Sequence, residues 1–316
     1  MTKERMYKYL FGPIPSRRLG MSLGVDLVPK KVCTIDCVYC EVGRTTQLSV
    51  QPKDYIAADK IKEELNHYLK HNQAPDYVTI TASGEPSLNA NLEEIIAFVK
   101  QNEANIPVCV ITNGTLLNDK KVREALSKSD LVLPSLDAAT EKVFRMINRP
   151  HKEINFEAYL QGLIDFSAEF KGDIWLEVFI LPGYNDHKEE LLALREIIQK
   201  INPDIVQLNT LDRPGTIDNL RGATQDELQK IMDLWQLDNV RIIAKAKQSN
   251  KTIFRSDTKT AIKETISRRP CTLEDLVSIL GLCEEEIDRC LASLAFVKGF
   301  EKVEQERGVF YQIREQ

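Results

Sequence analysis

Apolar residues in this chain follow two alternating periods. Between Ser22 and Ile243, short runs rich in Val, Ile and Leu are separated by longer stretches with an apolar residue at every third or fourth position. The runs cover 22–28 (SLGVDLV), 77–82 (YVTITA), 108–112 (VCVIT), 131–136 (LVLPSL), 175–181 (WLEVFIL) and 205–211 (IVQLNTL). They read as strands apolar on both faces, the pattern of a parallel sheet covered by helices. The stretches 61–70, 92–101, 120–128, 156–170, 189–199 and 225–235 read as amphipathic helices. Strand–helix units in succession predict an α/β fold with right-handed crossovers. Six such units are fewer than the eight of a closed TIM barrel. The expected form is therefore a partial (β/α)6 TIM-like barrel with its active site at the C-terminal ends of the strands.

The pattern shifts beyond about Lys251. Helices are predicted over Lys259–Arg268, Thr272–Leu280 and Glu284–Val297, then two strands joined at Glu306–Gly308. Thr272 and Asp275 form a T-x-x-D helix start. Three helices and a hairpin match a winged helix-turn-helix plan. The expected division is a barrel over 1–250, with a cysteine-bearing loop at 30–45, and a winged-helix-like domain over 251–316.

Composition narrows the class. The 316 residues are 43% hydrophobic and 28% charged, ordinary for a soluble globular protein. A net charge of −5 excludes a surface coated in basic residues. Residues 255–316 hold ten Lys/Arg against twelve Asp/Glu, and the third helix there opens with Glu284-Glu285-Glu286 and carries Asp288. Such a helix repels phosphate, so DNA is not an expected partner, and protein contact or a structural role is. The apolar runs are too short to span a bilayer. The opening MTKERMYKYL is too charged for a secretory segment, and seven cysteines is an odd count. A reducing cytoplasm is the expected location.

The chemistry concentrates in one loop. Cys33, Cys37 and Cys40 fall within eight residues, as C-x3-C-x2-C, directly after the first strand. Iron–sulfur clusters are held by thiolates, usually four. A loop offering three leaves one iron open to a substrate. A zinc ribbon would need a second C-x2-C pair, and none follows.

Further motifs close the later strands in order. They are Ser83-Gly84-Glu85-Pro86, Thr112-Asn113-Gly114, Ser135-Leu136-Asp137 and Leu181-Pro182-Gly183. With the cysteine loop, these resemble the radical SAM superfamily over roughly Pro15–Leu234. The resemblance implies a [4Fe-4S] cluster on Cys33, Cys37 and Cys40, with its fourth iron chelated by the amino and carboxylate groups of S-adenosylmethionine (SAM). It implies that Gly84 and Glu85, in a motif with Ser83 in place of a first glycine, hold the methionine amino group. Thr112 and Asn113 match the family's T-N-G, and Ser135 and Asp137 are implied to meet the SAM carboxylate and ribose. Leu181 and Tyr39 are implied to lie beside the adenine. The implied chemistry is reductive cleavage of SAM to methionine and a 5′-deoxyadenosyl radical that takes a hydrogen from substrate. The implied partner is an electron donor of flavodoxin or ferredoxin type.

The segment FGPIPSRRLGMSLGVDLVP resembles a branch grouped with wyosine-forming tRNA enzymes. Those enzymes hold a second cluster on cysteines upstream of this loop, whereas here no cysteine precedes Cys33. The expected substrate is a macromolecule, RNA slightly ahead of protein, or a cofactor precursor. The rival readings are an iron–sulfur redox sensor that binds DNA, and a radical SAM scaffold without turnover.

Other residues carry weaker expectations. Arg17 and Arg18, and Arg145 and Arg149, are candidates for an anionic substrate. His151 is a candidate for proton transfer, and His67 and His71 share a helix face without a third ligand. Asp36 is expected to hydrogen-bond amides of its own loop. Cys109 is expected to pack within a strand, and Cys283 and Cys290, seven apart, to face a helix core.

Overall fold

The computed structural model describes residues 7–81, 83–243, 258–305 and 307–314. The predicted boundary near Lys251 and the turn residue Glu306 lie outside them. The main sheet runs, in spatial order, β1 (Leu10–Ser16), β2 (Gly20–Asp26), β5 (Tyr77–Thr81), β6 (Val108–Thr112), β7 (Leu131–Pro134), β8 (Asp173–Ile180), β9 (Ile205–Thr210) and β10 (Val240–Ile242). A separate two-residue pair, β3 (Val32–Cys33) with β4 (Gln47–Leu48), lies in the cysteine loop. All neighbours in the main sheet are parallel except β1, which turns back antiparallel on β2. The covering helices are α1 (Ala58–His71), α2 (Leu92–Asn102), α3 (Lys120–Leu126), α4 (Glu141–Ile147), α5 (Phe156–Glu169), α6 (Lys188–Ile201) and α7 (Gln225–Trp235). The six predicted strands are all present, so the α/β barrel expectation holds. The periodicity missed β1, whose glycine and prolines mask it, the three-residue β10, and the short α4.

One expectation is corrected. Of the six predicted strands, β6 and β7 are apolar on both faces as expected, whereas β2, β5, β8 and β9 are not. Leu23 and Val25, Val78 and Ile80, Leu176 and Val178, and Val206 and Leu208 are buried beneath the helices. The alternate positions carry Ser22, Asp26, Thr79, Thr81, Glu177, Gln207 and Asn209. This second face is apolar at β6 and β7, where Leu19, Cys109, Leu131 and Leu133 form a small plug with Tyr77, Ile111 and Trp175, and at Phe179 of β8. Arg18, beside β2, pairs with Glu177 of β8, four strands away. Flat strands would put these positions about 19 Å apart. The sheet therefore curls around its polar face, and that face is a lumen rather than a packed core.

The C-terminal module is α8 (Thr258–Arg268), α9 (Leu273–Leu280), α10 (Glu284–Leu294) and the hairpin of β11 (Phe300–Gln305) and β12 (Gly308–Ile313). Thr272 and Asp275 cap α9 reciprocally, as the T-x-x-D pattern predicts. Ile262, Ile266, Leu276, Ile287, Leu291 and Leu294 build the module's own core, against which Ile14 of β1 packs. Cys283 departs from expectation. It precedes α10 as an exposed N-cap, so it shares no core face with the half-buried Cys290.

Charge ties the module to the sheet. Arg307 reaches both Asp212, just past β9, and Asp275 of α9. Arg213 lies 3.7 Å from Asp275, and Arg268 pairs with Asp26 at the end of β2. Burial pushes the Asp275 carboxyl up, but Arg213, the Thr272 N–H and Arg307 outweigh it and hold the pKa below its ordinary value. Its charge therefore stabilises the fold above the unfolded aspartate range, and that stability is lost as pH falls through the depressed folded value. Asp275→Asn is expected to cost about 3 kcal/mol at neutral pH, because two arginines lose a buried partner. The gap from wild type should stay constant above pH about 4 and narrow below it. Urea melts across a pH series check this.

Candidate active site

The cysteine loop leaves β2 and is stitched down on several sides. Lys31 N–H donates to the Ser83 carbonyl at 2.5 Å, and Glu85 N–H to the Val32 carbonyl at 2.9 Å. Asp36 and Val38 N–H groups donate to carbonyls at Asn148 and Ile147, where α4 ends. Thr216 N–H donates to the Val38 carbonyl from beyond β9. As expected, Asp36 accepts from its own loop, at Thr45 N–H, 2.6 Å. Gly84 is required here. A Cβ on it would lie 1.9 Å from the Val32 carbonyl oxygen, so only glycine lets the two backbones touch.

Each cysteine sulfur faces a side-chain N–H donor. Asn113 Nδ2 lies 3.6 Å from Cys33 Sγ, Asn148 Nδ2 3.4 Å from Cys37 Sγ, and Lys31 Nζ 3.2 Å from Cys40 Sγ. Lys31 is buried, with its backbone at φ +65°. Burial, then Glu85, pushes the Cys33 thiol up to about 12, and burial and Asp137 push Cys37 well above its ordinary value. Thiols so placed hold their protons against water and would yield them to a bound metal. Among the described residues no three His, Cys, Asp or Glu side chains form a group that could hold a single ion. A cluster asks for something different, since each thiolate binds its own iron. Three sulfurs with N–H donors suit that demand, because such hydrogen bonds stabilise charge on coordinated sulfur. Asn148 Oδ1 adds a buried acceptor without a partner beside Cys37.

The strand-end residues cluster around this loop. The Glu85 carboxylate accepts from Ser87 N–H and Oγ, Thr112 Oγ1 and Asn113 N–H, at 2.6–3.0 Å. Asp137 accepts from Tyr39 OH, Asn148 Nδ2 and Phe179 N–H. Both carboxylates are 2% exposed, and burial raises both pKa values despite those donors. They face the protein's own groups, which makes them braces of the wall. Tyr39 stacks its ring on Phe179 at 3.8 Å. Leu181 is buried, its N–H held by Asn185 Oδ1 at 2.8 Å. Ser135 is half-buried, with its carbonyl accepting from Tyr159 OH.

Arg145, His67 and His71 lie elsewhere, while Arg149 and His151 meet the cysteine loop through their backbones. Arg145 pairs with Glu141 on the surface of α4. His67 and His71 stack on each other, and His71 Nδ1 lies 2.8 Å from the His67 carbonyl. His151 receives the Glu153 N–H at 3.3 Å. Arg149 contributes its backbone carbonyl to Asp36 N–H. Cys109 is buried, as expected of a packed thiol, and the buried Cys271 donates its S–H to the Arg269 carbonyl at 3.5 Å. Sequence reasoning missed Lys31 and Asn148. Lys31 stands two residues before the first cysteine, a proximity that could have flagged it. Asn148 sits between the two arginines that drew attention instead.

The profile of the Radical SAM superfamily matches residues 27–195. A UPF0026 protein of Methanocaldococcus jannaschii is 31% identical over 277 residues, covering 86% of this chain and 85% of that protein. The chain belongs to the radical SAM superfamily, within the UPF0026 group. A Brachyspira hyodysenteriae protein named GTPase Obg is 38% identical over 300 residues, 93% of this chain. The chain spans only 43% of that protein's length, and it has no Gly-Lys pair of the kind a phosphate loop needs. In structure, a radical SAM methyltransferase from Sphaerobacter thermophilus superposes with a TM-score of 0.54 at 13% identity, covering 70% of this chain and 66% of that one. TYW1, solved with a lysine–pyruvate adduct, gives 0.51 at 20% identity, covering 71% and 74%. At those identities the likeness concerns the fold.

Gly84→Ala should destabilise the protein by about 3 kcal/mol, since the new methyl must push apart two backbones rather than a flexible side chain. Ser83→Ala, which leaves the Ser83 carbonyl in place, should cost well under about 1 kcal/mol. Denaturant midpoints of the two variants check this contrast.

Proposed function

We propose that this protein is a SAM-cleaving radical enzyme whose cluster is held by Cys33, Cys37 and Cys40. The observation that carries the reading is the set of three loop thiols, each given a side-chain N–H donor, beside the backbone bridge between Gly84-Glu85 and the loop. When bound, a [4Fe-4S] cluster and SAM supply one-electron cleavage of a C–S bond, yielding methionine and a 5′-deoxyadenosyl radical.

The chain's own residues bind and orient. The Ser83–Glu85 backbone is the support for the SAM amino group, with the Glu85 carboxylate fixing that turn through Ser87, Thr112 and Asn113. Ser135 presents a hydroxyl to the SAM carboxylate and ribose side, with Asp137 bracing the wall behind it. Tyr39 and Leu181 border the adenine side, where Asp137 and Asn185 hold them in place. The electron comes from a small flavodoxin- or ferredoxin-like donor. Among the described residues no helix is long and apolar enough to cross a membrane. The exposed acids of α10, Glu284, Glu285 and Asp288, argue against DNA and for a role of the module at the lumen mouth.

Anaerobic reconstitution with iron and sulfide, then SAM and a strong reductant, tests the reading. Wild type should release 5′-deoxyadenosine, and Cys37→Ala should release none. A protein that loads a cluster but never cleaves SAM is instead a sensor or a scaffold.

Lys31 offers a second readout. A buried ammonium beside Cys40 favours the reduced, more negative state. Lys31→Met is expected to lower the cluster's potential by about 60 mV, the one-electron equivalent of about 1.4 kcal/mol. A redox titration followed by electron paramagnetic resonance measures it, and an unmoved potential would remove Lys31 from this role.

A further inference from the structure

We propose that the cavity between the lumen and the C-terminal module binds a small organic anion, one carrying a phosphate or carboxylate, with Arg17 and Arg269 as its counter-charges. The binding stands on the cavity alone, whereas the anion's being the substrate rests on the SAM-cleaving reading above.

The cavity encloses about 410 Å³, the size of a small-molecule site. Ser22, Asp26 and Thr79 of the lumen form one wall, and the Arg17–Arg18 turn forms another. Arg213, from beyond β9, forms a third, and α8 and α9 close the mouth with Arg268, Arg269 and Asp275. Ser83 and Glu41, neighbours of Gly84 and Cys40, also border it. The cavity thus opens beside the cysteine loop.

Its wall carries six arginines and six acids, but the ion pairs they form do not use every guanidinium. Arg18 pairs with Glu177, Arg268 with Asp26, and Arg307 with Asp212 and Asp275. Arg213 takes Glu41 at 3.0 Å. Of the remaining acids in the wall, Glu274 is exposed and Glu264 is itself engaged. Once these pairs are made, the guanidinium groups of Arg17 and Arg269 have no ion pair or hydrogen bond among the described residues. Two more donors are idle. Arg18 Nε and Arg213 Nε are buried without an acceptor, and the Arg213 side chain is only 9% exposed. A buried guanidinium donor without an acceptor is costly. Burial, then Arg213, holds the Arg269 pKa below its ordinary value, and burial and Arg17 bring Arg18 down to about 10. Glu41, already bonded to Arg213, is shared with Arg269 and Arg17, and an anion gives these last two a partner of their own. Planar guanidinium forks match both phosphate and carboxylate oxygens. The enclosure on several sides favours a small molecule over a polymer.

The full-length protein, titrated calorimetrically at low salt, provides the test, with inorganic pyrophosphate and succinate as separate probes. At least one should bind with one-to-one stoichiometry at up to millimolar concentration. Tighter pyrophosphate binding would assign a phosphate, and tighter succinate binding a carboxylate. Arg269→Gln and Arg17→Gln should each weaken that binding on the order of tenfold or more. Arg269→Gln should melt no lower than wild type without a probe, because it removes a half-buried cation that makes no ion pair among the described residues. Cys37→Ala, which abolishes SAM cleavage under the earlier reading, should keep wild-type probe affinity, so the two readings fail separately. Absence of binding by both probes, or affinities unchanged in both arginine variants, overturns the site. So does displacement of the probe by a short single-stranded RNA, which would make this a polymer site. Displacement by SAM on cluster-loaded protein would give the arginines to the SAM carboxylate, and also overturns it.

Discussion

Two buried carboxylates, Glu85 and Asp137, hold the site together. A carboxylate taken out of water is costly unless donors surround it. Glu85 meets that demand with Ser87, Thr112 and the Asn113 backbone, and Asp137 with Tyr39, Asn148 and Phe179. Two of these partners also reach sulfur: Asn113 extends its amide to Cys33 and Asn148 to Cys37. The need to satisfy two charges at strand ends therefore sets where the hydrogen bonds to the cysteine loop fall. Loss of one brace would loosen both a wall and a sulfur contact, since the groups act as one network.

The same logic extends outward through arginine. Glu41, one residue past Cys40, binds Arg213, and Arg213 approaches Asp275 of the C-terminal module. Arg307 closes the circuit between Asp275 and Asp212. The module therefore docks through partly buried ion pairs in addition to the packing of Ile14 on its core. Such pairs fix an orientation well, because each charge left without its partner is penalised. A module held this way can border the lumen while its own core remains separate.

The lumen shows how one sheet serves two environments. Its outer face buries Val, Leu and Ile under helices, which supplies the hydrophobic stabilisation. Its inner face carries Ser22, Thr79, Glu177 and Asn209, which would be misplaced in a packed core. A sheet with one apolar and one polar face curls around the polar one only if something there satisfies the polar groups. Arg18 on Glu177 does part of this.

The cysteine spacing, the strand order and the motifs at the strand ends were legible in the chain because each is a local pattern. The period-2 alternation of SLGVDLV and YVTIT was legible too, and reading those runs as apolar on both faces overlooked the serine, threonine and aspartate at every second position. The sequence alone determined that three thiols lie in one loop at the catalytic end of a parallel sheet, since spacing and crossover handedness leave little choice. Only the tertiary structure decided that Glu85 and Asp137 turn into the wall, that Lys31 and Asn148 reach sulfur, and that Arg17 and Arg269 line one cavity without an ion pair of their own among the described residues. Arg17 and Arg269 lie 252 positions apart in the chain, and which charges end up neighbours depends on how the sheet curls and where the module docks, which no local pattern encodes.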